Sequence, residues 1–167
     1  MKKIILTYGL IAGAIVAAML FISMPLYRSG ILDMDYGTIV GYTTMIVAFS
    51  TIFFAIRSYR DHYCGGVISF GKGFLVGLLI ALLASVIYVV AWEICLVTVA
   101  TDFMDHMEQY YLENASSPEE AEAAKSQIAQ YKEWYKMPVL RFGLTFMEIF
   151  PVGLVIALAS AAVLRKK

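Results

Sequence analysis

Four long apolar stretches, separated by shorter polar segments, dominate the chain. They cover about residues 4–24, 36–56, 74–99 and 142–164. Each is long enough for a helix that crosses the hydrocarbon core of a bilayer, which is about 30 Å thick. A helix also satisfies its own backbone hydrogen bonds, as a lipid environment requires. The pattern therefore predicts an all-α, polytopic membrane protein with four transmembrane helices in a single domain, residues 1–167.

The polar segment between the third and fourth spans, about residues 101–137, carries helical signals of its own. Ser117 is a typical N-cap, Pro118 suits the first helical position, and Glu120 completes a capping box. Apolar residues on either side of this signal recur at helical spacing: Phe103, Met107 and Tyr110, then Ala121, Ala124, Ile128, Tyr131 and Tyr135. The first set predicts that the third helix continues past the membrane, and the second predicts an amphipathic helix that ends before Pro138. Together they predict a helical hairpin outside the membrane.

Basic residues near the ends of the spans indicate the orientation of the chain. Eight lie on the side of the two termini: Lys2, Lys3, Arg57, Arg60, Lys72, Arg165, Lys166 and Lys167. Five lie on the other side, most of them in the long polar segment: Arg28, Lys125, Lys132, Lys136 and Arg141. Because short loops rich in Lys and Arg stay in the cytoplasm, we expect both termini to be cytoplasmic and the hairpin to be extracytoplasmic.

The composition supports a membrane protein and argues against several function classes. Hydrophobic residues make up 60% of the chain and charged residues 16%, which is not the composition of a soluble domain. The formal net charge is zero and no basic run carries stacking aromatics, so we expect no nucleic-acid partner. The two cysteines and two histidines form no pattern typical of a metal site or of hydrolytic catalysis. We therefore expect no cofactor, no metal and no enzymatic activity, and a lipid bilayer as the surroundings.

Small residues recur at every fourth position in three of the spans. The stripes are Gly9, Gly13 and Ala17; Gly73, Gly77, Ala81 and Ser85; and Gly153, Ala157 and Ala161. Such stripes let helix backbones approach closely in a membrane, where no hydrophobic effect drives helices together. They predict a compact four-helix bundle, and a stripe that is left free would allow a homo-oligomer.

Two carboxylates lie inside the predicted spans. Glu93 comes late in the third span and Glu148 early in the fourth, so both belong to the outer half of the bilayer. Ionisable groups within a membrane are candidates for function by default. If the two helices are neighbours, Glu93 and Glu148 can meet and share a proton or a cation. The structural alternative is that each is held by a hydroxyl, or by Arg28 or Arg141, and locks the bundle.

Three further residues are candidates for shaping a site around these carboxylates. Trp92 precedes Glu93, and Arg141 lies at the start of the fourth span. Pro151, three residues after Glu148, predicts a kink and leaves the carbonyl of about residue 147 without its helical donor. Broken helices line the sites of some transporters, but proline is also tolerated in membrane helices generally.

An ordered set of short motifs along the chain resembles a known family. The motifs are Tyr59-Arg60-Asp61, Gly65-Gly66-Val67-Ile68-Ser69-Phe70-Gly71-Lys72, Trp92-Glu93 and Met147-Glu148-Ile149-Phe150-Pro151-Val152-Gly153. Together they make the chain similar to a bacterial membrane family catalogued as domain of unknown function 4199. The resemblance covers nearly the whole chain and is weakest in the outer segment. It implies a four-span, multi-pass protein of a bacterial inner membrane, and it implies no activity.

Two classes of function follow from these features. In the first, the protein is a structural or interaction module whose outer hairpin engages an extracytoplasmic partner, with the glutamates as internal locks. In the second, Glu93 and Glu148 belong to an outward-facing site that binds or passes a proton, a cation or a small cationic solute. The sequence favours the first class, and a wet cavity that contains both carboxylates would favour the second.

Overall fold

The computed structural model describes residues 1–166, apart from the side chain of Met34. Lys167, one of the basic residues behind the predicted orientation, lies outside the described residues. Six helices make up the described chain: α1 Lys2–Arg28, α2 Met34–Tyr63, α3 Phe70–Thr98, α4 Phe103–Glu113, α5 Pro118–Lys136 and α6 Pro138–Leu164. No strand is present among these residues, so the all-α prediction is confirmed.

Four of the helices, α1, α2, α3 and α6, are long and apolar enough to cross a membrane. They correspond to the four predicted spans and extend past several of their ends. Polar residues cap the N-termini of two of the extended helices, α2 and α3. The side chain of Asp33 accepts a hydrogen bond from the backbone N–H of Tyr36 at 2.9 Å, and Ser69 accepts one from Lys72 at 3.4 Å. Hydropathy alone therefore underestimates the length of these helices.

The four long helices pack into a bundle in which α1 and α6 each contact both α2 and α3. Large apolar side chains fill its centre, among them Phe49, Ile52, Ile80 and Ile149. Each of the three small-residue stripes packs inside the bundle; the pairs include Gly9 with Leu83, Gly13 with Ile87, Gly77 with Ala157 and Gly153 with Ala81. The close packing of helix backbones that the stripes predict therefore occurs between helices of the same chain.

The two ends of the bundle differ in what they carry. One end holds the start of α1, the end of α6 and the connection between α2 and α3, where Ile68 and Lys166 form an isolated antiparallel bridge. Arg60 also donates to the backbone carbonyl of Leu164 there, at 3.4 Å. The other end holds the connection between α1 and α2 together with the two short helices, and we call it the α4–α5 end.

The third long helix does not continue past the bundle, and that prediction was wrong. α3 ends at Thr98 and α4 begins only at Phe103. The backbone N–H groups of Val99 and Ala100 both donate to the carbonyl of Cys95 and close the helix. Arg28 of α1 donates to the carbonyl of Val99 at 3.4 Å and forms an ion pair with Asp102 at 3.1 Å. These contacts with a distant part of the sequence turn the chain where the local spacing predicts a helix.

The start of α5 is the one that its sequence predicts. The backbone N–H of Glu120 donates to the Ser117 hydroxyl at 3.2 Å, which confirms the predicted N-cap. The late part of α5 lies against the early part of α4, because Lys132 donates to Asp105 at 2.8 Å and to Glu108 at 2.7 Å. These hydrogen bonds raise the pKa of Lys132, so it stays charged at neutral pH. A single residue, Met137, then separates α5 from α6.

Candidate functional site

Glu93 of α3 forms a bidentate ion pair with Arg141 of α6. Arg141 Nε donates to Glu93 Oε1 at 2.6 Å, and Arg141 Nη2 donates to Glu93 Oε2. The remaining nitrogen, Nη1, donates to the backbone carbonyl of Tyr135 at 2.6 Å. The side chains of Arg141 and Glu93 are only 21% and 22% exposed. Arg141 therefore neutralises Glu93 and joins α3, α6 and the end of α5.

Glu148 occupies a different position on the same helix. It follows Arg141 by seven residues, which places it about two turns, or roughly 10 Å, deeper in the bundle. No hydrogen bond or ion pair joins its carboxylate to any residue in the part of the chain that the structure describes. The side chain keeps exposed surface, because it lines two cavities.

Aromatic side chains line both of these cavities. The first, which we call the bundle cavity, has a volume of about 220 Å³ and lies between α1, α2 and α3. The second, which we call the α5 cavity, has a volume of about 300 Å³ and lies between α4, α5 and α6. Phe103, Tyr135 and Glu148 line both of them. Among the described residues, Glu148 contributes the only charged side chain to either lining.

Three tyrosines, Tyr27, Tyr88 and Tyr135, line the bundle cavity together with Glu148. Burial raises the pKa of Tyr135, so its hydroxyl stays protonated and neutral. A neutral phenol offers an O–H group, and its ring face attracts cations. The arrangement can therefore hold a cation between a carboxylate and aromatic faces, or take up a proton on the carboxylate.

Trp92, predicted to shape the site, lines the bundle cavity. Its ring packs edge to face against Phe103, with the ring centroids 5.1 Å apart. Its Nε1 is buried and makes no hydrogen bond of ordinary geometry with a described residue; the Tyr135 hydroxyl is the polar group beside it. Successive helical residues point about 100° apart, so Trp92 faces the cavity while Glu93 turns toward Arg141.

The structure does not bring Glu93 and Glu148 into one cavity. Glu93 lines a separate groove between α3 and α6, beside Phe142 and Phe146. Pro151 lies within α6 and is exposed, and it lines neither cavity at Glu148. Of the residues singled out from the sequence, Glu148 and Trp92 share a cavity, whereas Glu93, Arg141 and Pro151 lie outside both cavities.

The tyrosines and Phe103 are the residues that sequence reasoning missed as part of a site. Tyr88 and Trp92 are four residues apart in α3 and therefore share a helix face, which is a signal that could have identified Tyr88. Tyr27 and Tyr135 come from α1 and α5, and only the packing of those helices brings them to Glu148. No signal within either helix predicts that meeting.

A comparison with known families gives one match. The family model described as "Protein of unknown function (DUF4199)" matches residues 7–166 of the chain. No curated protein and no solved structure matches. The matched range includes both candidate carboxylates and every residue that lines the two cavities at Glu148.

Proposed function

The chain belongs to the family of proteins of unknown function DUF4199, and from that premise we propose that it binds a proton, a cation or a small cationic solute at Glu148. One observation carries the proposal: an unpaired carboxylate lies between two cavities, and each cavity has several aromatic side chains in its wall. Membership of a family without an assigned activity supplies no chemistry, so the chemistry is argued from the site itself.

A carboxylate without a partner inside a membrane-length apolar helix needs a physical explanation. Desolvation of a charged group is unfavourable unless the group is paired or neutralised. Glu93 meets this requirement through Arg141, but Glu148 has no such partner in the described chain. A bound proton or cation would supply one. We therefore assign ligand binding to Glu148 and assign to Glu93 and Arg141 the positioning of α6 against α3.

Replacing Glu148 by Gln is expected to shift the cation-dependent change in the fluorescence of Trp92 to higher cation concentrations. Trp92 lines the same cavity as Glu148, and Trp134 is the only other tryptophan, so a Trp134→Phe background leaves Trp92 as the sole reporter. Titration of the detergent-solubilised protein with an alkylammonium chloride, and separately with acid, is expected to change the emission. Because the charged partner is lost, Glu148→Gln should weaken cation binding about tenfold or more.

Two variants serve as controls for this titration. Glu148→Asp keeps the charge and is expected to retain cation binding. Glu133→Gln removes a carboxylate that is 65% exposed on α5 and should respond as the parent protein does. If Glu148→Gln gives the same titration curves as the parent, the proposed function is wrong.

We also propose that the protein spans a bacterial inner membrane with both termini in the cytoplasm. The basic residues near the termini and in the α2–α3 connection support this orientation. A membrane-impermeant maleimide applied to intact spheroplasts is expected to label Ala121→Cys in a background without Cys64 and Cys95. In a separate variant that lacks Cys95 and keeps the native Cys64, at the opposite end, labelling should occur only after permeabilisation. The reverse pattern would contradict the orientation.

A second candidate is an interaction module in which α4 and α5 contact an extracytoplasmic partner. In the described chain Ile128 is the only buried residue of α5, and α4 has none, so much of their surface is free. Tyr110, Tyr131 and Tyr135 are partly buried against the rest of the molecule, which leaves Tyr111 as the exposed aromatic residue of α4. Partner binding through this surface would survive Glu148→Gln, so that variant separates the two candidates.

A further inference from the structure

A third cavity opens at the α4–α5 end, next to the bundle cavity. This cavity, which we call the vestibule, has a volume of about 350 Å³ and lies between α1, the α1–α2 connection and α4. Met24, Tyr27 and Phe103 line both the vestibule and the bundle cavity. Phe103 also lines the α5 cavity and is therefore a common wall of the three. Only a few side chains separate the vestibule from the cavity that contains Glu148.

The vestibule carries an excess of negative charge. Its ionisable lining includes Arg28, Asp33, Asp102, His106 and Glu113. Arg28 is paired with Asp102 at 3.1 Å. Asp33 caps α2, and Glu113 accepts a hydrogen bond from Gln109 at 2.7 Å, but neither carboxylate has a cation within ion-pair distance in the described part of the chain. Two unpaired carboxylates at the mouth of a cavity attract cations and raise their local concentration.

Trp92 adds an indole ring to the wall of the bundle cavity. The residue is only 6% exposed, and its Nε1 is buried beside the Tyr135 hydroxyl. The ring therefore extends the aromatic part of the lining around the Glu148 carboxylate.

The lining of the bundle cavity selects the chemical class of this ligand. The aromatic rings of Tyr27, Tyr88 and Tyr135 in this lining suit an organic cation, because aromatic rings attract ammonium groups and also pack against apolar parts. A cavity of about 150 Å³ is known to hold a benzene ring, so the 220 Å³ here accommodates an arylalkyl or alkyl chain. Calcium, by contrast, takes roughly six to eight oxygen ligands. Glu148 is the only carboxylate that the described lining offers.

We propose that the vestibule and the bundle cavity form one binding path for an organic ammonium ion. Asp33 and Glu113 attract the ion to the vestibule, and Glu148 binds it in the bundle cavity after it has passed Phe103. This inference rests on the proposed function, since it names the ligand class and the entrance of the same site. The Tyr27 hydroxyl occupies the space that a side chain at Gly37 would need, so Tyr27 is fixed against α2. Phe103, the first residue of α4, lies between the two cavities, and its side chain must rotate for a ligand to pass.

The test follows Trp92 emission in Trp134→Phe protein during titration with phenethylammonium chloride, at low and at high NaCl. The double variant Asp33→Asn, Glu113→Gln is expected to weaken binding about three- to tenfold at low salt and to remove most of the salt dependence. Asparagine is as good an N-cap as aspartate, so α2 keeps its start. Phe103→Ala is expected to speed association in stopped-flow measurements.

The matched control, Glu122→Gln with Glu133→Gln, removes two carboxylates that are exposed on α5 and line none of the three cavities. It should bind phenethylammonium as the parent protein does. If the vestibule variant also matches the parent at both salt concentrations while Glu148→Gln loses binding, the path is wrong and the proposed function stands. Displacement of phenethylammonium by an equal concentration of Na⁺ or K⁺ would overturn the ligand class. Unchanged binding in Glu148→Gln would overturn the proposed function itself.

Discussion

Replacing Arg141 by Met is expected to lower the free energy of unfolding by about 2–4 kcal/mol. The substitution leaves the Glu93 carboxylate without its counter-charge at the interface of α3 and α6. Both side chains are about four-fifths buried, so solvent screens the loss much less than it would for a surface pair. The measurement is thermal unfolding of the detergent-solubilised protein, followed by circular dichroism and by the loss of monodisperse protein on size-exclusion chromatography.

Two companion variants separate the charge from the shape of Arg141. Glu93→Gln combined with Arg141→Met removes both charges and is expected to recover more than half of the lost stability, because no unpaired ion remains. Arg141→Lys keeps the charge but loses the planar fork that contacts both carboxylate oxygens, so it should fall between the parent and Arg141→Met. If the double variant is as unstable as Arg141→Met, the ion pair is not the source of the effect.

Gly153→Ala is expected to cost about 1–3 kcal/mol of stability through overpacking. A Cβ atom at this position would lie 2.8 Å from the Cβ of Ala81 and 2.9 Å from the ring of Phe49. Both neighbours are completely buried, so neither can move into free space. The same thermal unfolding measurement applies, and Gly153→Leu is expected to prevent α6 from packing against α3 at all.

The helix itself supplies the matched control for this substitution. Gly143 lies in the same helix, and a Cβ atom there would meet nothing within 4 Å. Gly143→Ala is therefore expected to be neutral or to stabilise by up to about 1 kcal/mol, because Ala is the better helix former. Adding Ala81→Gly to Gly153→Ala should restore part of the loss. If Gly143→Ala and Gly153→Ala destabilise the protein equally, the close helix packing at Gly153 is not the cause of the effect.

The sequence predicted the helices well because the signals for them are local. Hydropathy identifies a membrane-length helix within a window of about 20 residues, and Ser117 caps α5 through an atom three residues away. The turn between α3 and α4 was missed because Arg28 supports it from α1, far away in the sequence. Local spacing contains no information about that contact.

The candidate site could be predicted only in part, for a related reason. The position of Glu148 within an apolar helix marks it as unusual, and that is visible in the sequence. Whether Glu93 meets Glu148 or Arg141 depends on the rotation and depth of α3 against α6, which the Gly77–Ala157 and Gly153–Ala81 contacts fix in the folded bundle. The aromatic walls come from α1, α3, α4 and α5, so their convergence is a property of the packing.

Because only Met137 connects α5 to α6, any rotation of α5 would occur about this residue, which lies beside the ion pair. The 19 residues of α5 extend about 28 Å from this pivot, so a rotation of about ten degrees displaces the far tip by about 5 Å. Arg141 spans the pivot, because it binds Glu93 on one side and the Tyr135 carbonyl on the other. The same guanidinium that neutralises Glu93 thus also holds the last turn of α5, where Tyr135 forms part of the wall of the α5 cavity.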